Sequence, residues 1–406
     1  MSSHAWKRLL LGLVLVKSVY LGGVLVSLAL WPDMDIKMFH LVMKQWPRDG
    51  GPVFASHFAT YDGAHYLYLS EVGYFKDDPS CAFYPLWPLA IRWLSVFSGG
   101  SHLIAGMFLA NISSLAAWAI FHKIVARRFG ESVALWALVF LIIFPGSFFY
   151  QFIYSEPLFF LLVMLLWLGL ERNRFDLALT GATLLPLSRP VGIFCLLPIG
   201  WHLLMKRPPD WMYRFRWVKS EREGIASWEG SATDRAVNTN RKHLDYALLS
   251  APLIGWGAYF AFMWISTGNP IEGFQAQRHW GAHSIRNLLD VPNFVISLLT
   301  PTQLHHFRGS FLDRCSFLLL VYCLPLIWRL GKDLVIWTYV LGILPAMSGT
   351  FTSFTRFEST AFPVFIALAV YFVGIGRRWP LVVFVVVSTA LHVTLLWRFV
   401  NSRWAG

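Results

Sequence analysis

The stretch that decides the fold is residues 102–122, HLIAGMFLANISSLAAWAIFH, which contains no Asp, Glu, Lys or Arg. Its length matches the ~20 apolar residues that a helix needs to cross a bilayer. Similar runs recur along the 406 residues, of which 56% are hydrophobic and only 14% charged, against about 25% charged in soluble domains. The sequence therefore predicts an all-α, polytopic membrane helix bundle and excludes a soluble protein.

The apolar runs predict about eleven membrane segments in one membrane domain that covers residues 1–406. The first run is longer than the core of a signal peptide and lacks a cleavage site, so we expect a retained helix. The two runs that flank Arg189 are short and fit either two helices or one broken helix with a re-entrant piece. The predicted segments are 9–30, 102–122, 132–149, 155–171, 176–189, 191–205, 244–266, 311–330, 333–350, 357–375 and 379–399.

The basic residues are distributed unevenly between the two sides of these segments. With the N-terminus inside, 20 of the 34 Lys and Arg fall in inside stretches and 9 in outside stretches, although the outside stretches are longer in total. This positive-inside pattern predicts outer loops at 31–101 and 267–310 and a basic inner loop at 206–243. Aromatic residues alternate with Lys and Arg in the inner loop, which favours contact with the anionic inner leaflet over binding of nucleic acid.

The first outer loop contains an apolar run, Cys81 to Phe97, that is interrupted by Pro85 and Pro88. The two prolines and Arg92 favour an interfacial or re-entrant element over a membrane span. The sequence leaves open whether this run dips into the membrane or lies flat on it. Long loops on a rigid scaffold often carry functional sites.

Unusual polar residues collect on the predicted outer side, and charges at the mouths of membrane segments are usually functional. Asp62 fits two interpretations: the N-cap of a helix, or a carboxylate that takes a proton from a substrate hydroxyl. His65, three residues later, would share a helical face with Asp62. A metal pair at these two residues would lack an obvious third ligand.

Two arginines also belong to this outer group. Arg189 fits either a snorkelling side chain or a guanidinium that binds phosphate or carboxylate beside a broken helix. Arg356 begins a helix at the outer face. There it fits two interpretations equally well: a salt bridge to Glu358 or Glu156, or binding of an anionic substrate. Glu156 lies at the mouth of a membrane segment.

The second outer loop contains the run Phe274–Trp280, FQAQRHW. It fits an amphipathic interfacial helix. It also fits a sugar site, because amides bind hydroxyl groups and aromatic rings pack against sugar rings.

Motifs for several other chemistries are absent from the sequence. There is no P-loop, GxGxxG, HExxH, GxSxG or CxxC set, so ATP, dinucleotide and zinc-protease chemistry have no support. The four cysteines show neither metal spacing nor a disulfide framework. An enzyme that works on the outer face would need an activated substrate delivered through the membrane, and a lipid phosphate would serve.

Taken in order, these stretches resemble the PIG-V family of mannosyltransferases, as in GPI mannosyltransferase II, within the GT-C class of polytopic glycosyltransferases. Tyr61 replaces the Trp that is usual before the Asp-Gly pair, and Pro157 and Pro190 also depart from the eukaryotic pattern. The matching stretches are YDGAHYL at 61–67, EVGY at 71–74, AFYPLWP at 82–88 with Arg92, YSEP at 154–157, Ser188-Arg189 with Gly192, GNP at 268–270 through Ala276-Gln277 to Trp280, and TRF at 355–357 with Pro363.

The resemblance implies a GT-C-like bundle with interfacial or re-entrant helices in a large first outer loop. It implies inverting transfer of mannose from a polyprenyl- or dolichyl-phosphate donor, with Asp62 as the catalytic carboxylate. The leaving lipid phosphate would be stabilised by arginines. The remaining residues expected to bind donor or substrate are His65, Tyr84, Glu156, Arg189, Gln277, Arg278, Trp280 and Arg356.

The expected partners are a lipid-linked sugar donor, a glycolipid or glycan acceptor and membrane lipids, with a partner subunit left open and nucleic acid not expected. No cofactor is expected, and a divalent metal is left open. We expect a bacterial inner membrane with the site on the periplasmic face, or the ER membrane in a eukaryote; no Asn-x-Ser/Thr sequon occurs in the outer loops. The alternative functions are a transporter or flippase for a polyprenyl lipid or another anionic substrate, and a non-catalytic subunit.

Overall fold

The structure is a computed structural model that describes residues 3–48, 50–206, 208–215, 218, 242–281, 283–376 and 378–406. Most of the predicted basic inner loop, 206–243, including Trp217, lies outside the described residues. Its described aromatic residues Trp211, Tyr213 and Phe215 are exposed.

The described part of the chain contains eighteen α-helices and no β-strand, as the apolar patterning predicts. Short 3₁₀ turns connect several of them. The helices are α1 (Ser3–Leu30), α2 (Ile36–Val42), α3 (Asp62–Val72), α4 (Leu86–Ser95), α5 (His102–Phe129), α6 (Glu131–Ile143), α7 (Glu156–Arg172), α8 (Phe175–Ser188), α9 (Leu196–Lys206), α10 (Lys242–Thr267), α11 (Glu272–Ala276), α12 (Val291–Leu299), α13 (Phe311–Leu330), α14 (Lys332–Thr338), α15 (Leu344–Gly349), α16 (Phe354–Glu358), α17 (Phe362–Ile375) and α18 (Arg378–Val400).

Five of these helices, α1, α5, α10, α13 and α18, are long and apolar enough to cross a membrane. A sixth is reached if α6 and the 3₁₀ turn Pro145–Gln151 form one bent span. The other predicted segments correspond to shorter helices, among them α7, α8, α9 and α17. The count of about eleven segments therefore stays a prediction, whereas the helical class is confirmed.

Two predicted segments differ from the observed helices. The segment 132–149 is not straight, because α6 ends at Ile143 and the following 3₁₀ turn is bent by 84° relative to it. Pro145 cannot continue a helical hydrogen-bond ladder, which accounts for the break. The segment 357–375 begins later than predicted, at Phe362, because the separate short helix α16 precedes it.

The chain also breaks at Arg189, between α8 and α9. Helix α8 ends at Ser188 and a 3₁₀ turn, Pro190–Cys195, leads into α9. A Cβ at Gly192 would lie 2.2 Å from the carbonyl oxygen of Leu185, so only glycine permits this tight reversal. Arg189 thus occupies a break in the helical path, as its flanking sequence indicates.

The apolar run of the first outer loop forms the ten-residue helix α4. At about 1.5 Å per residue this helix is roughly 15 Å long, which is too short to cross a bilayer. It packs against α3 and α5. Trp93 near its end is exposed, and so are Val96 and Phe97 in the 3₁₀ turn that follows.

The largest apolar core joins α5, α6, α7, α13 and α17, and α8 packs closely on α7. Glycines allow this close approach: a Cβ at Gly181 would lie 2.7 Å from the carbonyl oxygen of Leu162 on α7. Small residues play this role in many membrane helix pairs. The packing holds the start of α7 and the end of α8 side by side, which brings Glu156 and Arg189 together.

Candidate active site

Four charged residues of the predicted outer side meet in one cluster, which we call the outer ion network: Asp62, Glu156, Arg189 and Arg356. Nη1 of Arg356 donates to Oδ2 of Asp62 at 2.6 Å, and its Nε donates to Oε1 of Glu156 at 2.5 Å. Nη1 of Arg189 lies 3.1 Å from the same Glu156 oxygen. The network balances two cations with two anions. Its members come from α3, α7, the α8–α9 break and α16.

Exposure differs sharply within the outer ion network. The side chain of Glu156 is fully buried, those of Arg356 and Arg189 are 9% and 10% exposed, and that of Asp62 is 21% exposed. A buried carboxylate persists only when it is paired. Glu156 therefore holds the two guanidinium groups, and Asp62 is the member with the best access to a substrate.

Asp62 is the first residue of α3, and its N-cap is Tyr61. Asp62 therefore starts the helix but is not its N-cap, and its carboxylate contacts Arg356 across the molecule. Tyr61 has φ 49° and ψ −118°, a conformation that costs energy in a residue with a side chain. The hydroxyl of Tyr61 donates to the carbonyl oxygen of Ser402 at 2.9 Å, which helps to hold this turn.

Arg356 lies in the five-residue helix α16, which is too short to be stable by its own hydrogen bonds. Thr350, Phe351 and Ser353 lead into it with positive φ angles. The other side of α16 faces Gly146, where a Cβ would lie 2.2 Å from the carbonyl oxygen of Thr355. Tertiary contacts, not local propensity, thus fix the position of the arginine.

Aromatic rings surround the two arginines. The guanidinium carbon of Arg356 lies 5.0 Å from the ring centre of Tyr154 and 5.3 Å from that of Phe149. The guanidinium carbon of Arg189 lies 4.7 Å from the ring centre of Phe357. These are cation–π distances, and the rings keep water away from the ion pairs, which strengthens the pairs.

His65 lies one turn after Asp62 and is buried beneath Trp280. Its Nδ1 lies 2.9 Å from the Ser80 hydroxyl, and its ring stacks on Phe83 and meets Trp280 edge to face at 4.9 Å. Burial lowers the pKa of His65 to about 4, although the nearby negative charge of Asp62 acts in the opposite direction. His65 is therefore neutral at physiological pH. Together with Phe83 and Trp280 it forms a wall of the site beside Asp62.

The remaining predicted site residues are arranged less closely. Tyr84 is buried and stacks on Tyr259 at 4.4 Å, and Gln277 donates from Nε2 to the Ala82 carbonyl oxygen at 3.1 Å. The first contact ties the first outer loop to α10, and the second ties the second outer loop to the first. Arg278 is exposed and stays outside the outer ion network, and among the described residues it has neither a hydrogen bond nor an ion pair.

The structure also adds His283, which sequence analysis did not single out. Its ring meets Phe357 edge to face at 5.0 Å, on the ring that also contacts Arg189. Burial and the positive charges of Arg356 and Arg189 lower the pKa of His283 to about 3. Its position in a polar loop without a neighbouring motif gave no sequence signal.

Side chains that commonly bind metals are not grouped in the described part of the chain. Among the described residues, no group of three or more His, Cys, Asp or Glu side chains is placed to hold a metal ion. All four cysteines are free, in agreement with the absence of a disulfide framework in the sequence.

Residues 44–208 match the family model described as Mannosyltransferase (PIG-V). This stretch is about two fifths of the 406 residues and contains Asp62, Glu156 and Arg189 of the outer ion network. Residues 44–208 are thus similar in sequence to the PIG-V mannosyltransferases. No curated protein matches the chain.

Solved GT-C glycosyltransferases show weak overall similarity. The oligosaccharyltransferase AglB of Archaeoglobus fulgidus, in complex with an inhibitory peptide and a dolichol-phosphate, is 14% identical with a TM-score of 0.47, over 98% of this chain and 56% of that chain. ArnT of Cupriavidus metallidurans, bound to undecaprenyl phosphate, is 12% identical with a TM-score of 0.30, over 86% of this chain and 77% of that chain. The chain spans about half the length of the oligosaccharyltransferase chains that it resembles.

Proposed function

We propose that the protein transfers a mannosyl group from a polyprenyl- or dolichyl-phosphate donor to a hydroxyl group of a lipid-linked or cell-envelope glycan. Transfer takes place on the outer face of the membrane, with inversion at the anomeric carbon. The observation that carries this proposal is the partly exposed Asp62 carboxylate, held by Arg356 at one end of the outer ion network. The family match over residues 44–208 supports the choice of mannose.

Asp62 acts as the general base. The acceptor oxygen attacks the anomeric carbon, the bond from that carbon to the phosphate oxygen breaks, and the acceptor proton passes to the Asp62 carboxylate. The lipid phosphate leaves with the electrons of the broken bond. The 2.6 Å bond to Arg356 occupies only Oδ2 of Asp62, which leaves Oδ1 as the proton acceptor.

Arg189 and Arg356 stabilise the negative charge that develops on the leaving phosphate. Each guanidinium contacts Glu156 through one nitrogen, so further N–H groups stay directed at other positions. Glu156 cancels one of the two positive charges and holds both planes in place before the substrate arrives. Such preorganisation costs no reorientation in the transition state.

The neighbouring wall supplies contacts for a sugar ring. Trp280 is partly exposed beside His65, and its Nε1 donates to the Pro79 carbonyl oxygen at 3.1 Å, which fixes the indole plane. A fixed aromatic plane with neighbouring hydrogen-bonding groups is typical of ligand pockets. Within this wall, His65 lies one helical turn from Asp62 on the same helix, α3.

The proposal is tested by transfer of radiolabelled mannose from polyprenyl-phosphate-mannose to membrane glycolipids by the purified protein. We expect native transfer and a loss of at least about 100-fold in Asp62→Asn, because general bases typically contribute 10²–10⁴-fold. The matched control is Asp77→Asn, an exposed carboxylate of the same loop, which should retain native transfer. Glucose and arabinose donors on the same lipid define the sugar specificity.

Other outcomes separate the alternatives. Full turnover of Asp62→Asn would show that this residue is not the base. Absence of transfer by the native protein, with labelled lipid moved across liposomes, would instead establish a flippase. Equal activity with and without excess chelator would exclude a required divalent metal. Loss of activity on chelation would show that the reaction requires one.

A further inference from the structure

A second buried polar contact lies directly behind the outer ion network. Oδ1 of Asp313 accepts hydrogen bonds from the backbone N–H of Thr355 at 2.8 Å and from the Thr355 hydroxyl at 2.6 Å. Both residues are fully buried. Thr355 immediately precedes Arg356, so these two hydrogen bonds hold the backbone next to the residue whose guanidinium binds Asp62.

Thr355 is held on two sides. Asp313 binds its N–H and hydroxyl, while its carbonyl oxygen lies against Gly146, where no Cβ fits. The helix α16 has five residues and cannot fix its own position. Asp313 and Gly146 therefore determine where α16 presents Arg356.

Asp313 is itself well anchored. It lies in the first turn of the twenty-residue helix α13, and its backbone N–H donates to the hydroxyl of the N-cap, Ser310, at 3.2 Å. The next residue, Arg314, donates from Nη1 to the Ser310 carbonyl oxygen and from Nε to the Ser297 carbonyl oxygen, each at 2.7 Å. The long helix α13 thus holds the short helix α16 through the Asp313 carboxylate, and the Ser316 hydroxyl of α13 also lies 3.3 Å from the Thr355 hydroxyl.

A role in stability alone does not explain this carboxylate. Oδ2 of Asp313 is buried and has no hydrogen-bond partner within the described ranges, which is costly for a polar atom. Arg314 bonds to carbonyl oxygens instead of pairing with it. A well-packed apolar residue at this position would avoid the cost of a buried polar group. The two bonds to Thr355 are what the carboxylate supplies.

We propose that Asp313 is a positioning residue of the glycosyltransferase: through Thr355 it sets the placement of Arg356 and hence the geometry of Asp62. This inference rests on the proposed function for its effect on turnover. The positioning itself is a property of the fold and has its own readout.

The test uses variants of the full-length protein. Thr355→Val removes the hydroxyl bond at nearly constant volume, Thr355→Ser keeps it, and Asp313→Asn keeps an acceptor oxygen whereas Asp313→Leu has none. We expect kcat/KM to fall roughly 10- to 100-fold in Thr355→Val and in Asp313→Leu, with Thr355→Ser and Asp313→Asn closer to native activity. The matched control is Thr338→Val: Thr338 is equally buried, but among the described residues its hydroxyl bonds only the Leu334 carbonyl oxygen of its own helix, α14.

A double-mutant cycle on Tm gives the readout that does not depend on activity. We expect the effects of Thr355→Val and Asp62→Asn to be non-additive, and those of Thr338→Val and Asp62→Asn to add. Additive effects in the first pair, or native kcat/KM in Thr355→Val, would overturn the positioning role. A coupled cycle in a protein that transfers no sugar would instead refute the proposed function and leave the positioning intact.

Discussion

Glu156 is the residue on which the outer ion network depends, since it is the only member that contacts both arginines. It begins α7, where the positive end of the helix dipole favours a carboxylate. Its negative charge compensates for the burial of two guanidinium groups, which would be costly at this site without a counter-ion. Breaking a buried pair by removing one partner costs about 3–5 kcal/mol, far more than breaking an exposed pair.

We therefore expect Glu156→Gln to lower the free energy of unfolding by about 3–5 kcal/mol and to abolish transfer, because Arg189 loses its counter-ion and Arg356 keeps only Asp62. The matched control is Glu131→Gln, whose side chain is 58% exposed and lies 3.7 Å from His122. It should change Tm and transfer little. Thermal unfolding in detergent and the transfer assay check both; a Glu156→Gln protein with native Tm would contradict the role of Glu156.

His65 makes stability dependent on pH. Burial lowers its folded-state pKa to about 4, while the unfolded side chain titrates near 6.5. Between these values the unfolded state binds one more proton, so stability falls as the pH drops through this window, by up to about 3 kcal/mol.

The substitution His65→Gln removes this pH-dependent contribution to the stability of the folded protein. We expect the Tm of the native protein to decrease more steeply from pH 7 to pH 4 than the Tm of the variant. Parallel curves would show that the imidazole is not held neutral by its burial.

At the scale of elements, the close approach of the 3₁₀ turn Pro145–Gln151 to α16 depends on Gly146. A Cβ there would lie 2.2 Å from the carbonyl oxygen of Thr355 and 2.9 Å from the Cα of Arg356, and both of these are backbone atoms that cannot rotate away. The two elements therefore have to separate if the glycine is replaced.

We expect Gly146→Ala to reduce transfer at least about tenfold, since small misplacements of catalytic groups are costly. Gly257→Ala is the control: outside its own helix backbone, this helix glycine has no neighbour within 4 Å of the place that an alanine methyl would take. Alanine there should be neutral or slightly stabilising. Equal activity of the two variants would show that α16 does not need this approach.

At the scale of the whole molecule, two ion networks of the described residues lie at opposite ends of α7. Glu156 starts this helix, and Glu171, near its other end, lies 3.4 Å from Arg128, which also pairs with Asp333. Fifteen residues of helix separate the two carboxylates by roughly 22 Å, comparable to most of a bilayer core. The outer ion network and the Arg128 cluster should therefore face different sides of the membrane.

Cysteine labelling tests this orientation. Lys76→Cys lies in the first outer loop and Arg174→Cys between α7 and α8, and both positions are exposed. In a background without the native cysteines, we expect an impermeant maleimide to label position 76 in intact cells and position 174 only after permeabilisation. Labelling of both from one side would refute the predicted topology.

Local sequence was sufficient for the class of protein and for most helices. Apolar runs near the length of a membrane helix predicted α1, α5, α10, α13 and α18, because the backbone of a membrane segment has to satisfy its hydrogen bonds within itself. Pro190 and Gly192 indicated the break at Arg189. The bend after Ile143 was missed, since Pro145 sits in a run that is apolar on both sides.

The partners within the site were decided by the tertiary structure. The sequence predicted that Asp62, Glu156, Arg189 and Arg356 lie on one side of the membrane. It did not decide whether Arg356 pairs with Glu156 or with Glu358. The fold pairs it with Glu156 and with Asp62, which lies 294 residues away in the chain. Periodicity and composition report local hydrogen bonding and burial, whereas an ion pair between distant helices depends on how those helices pack.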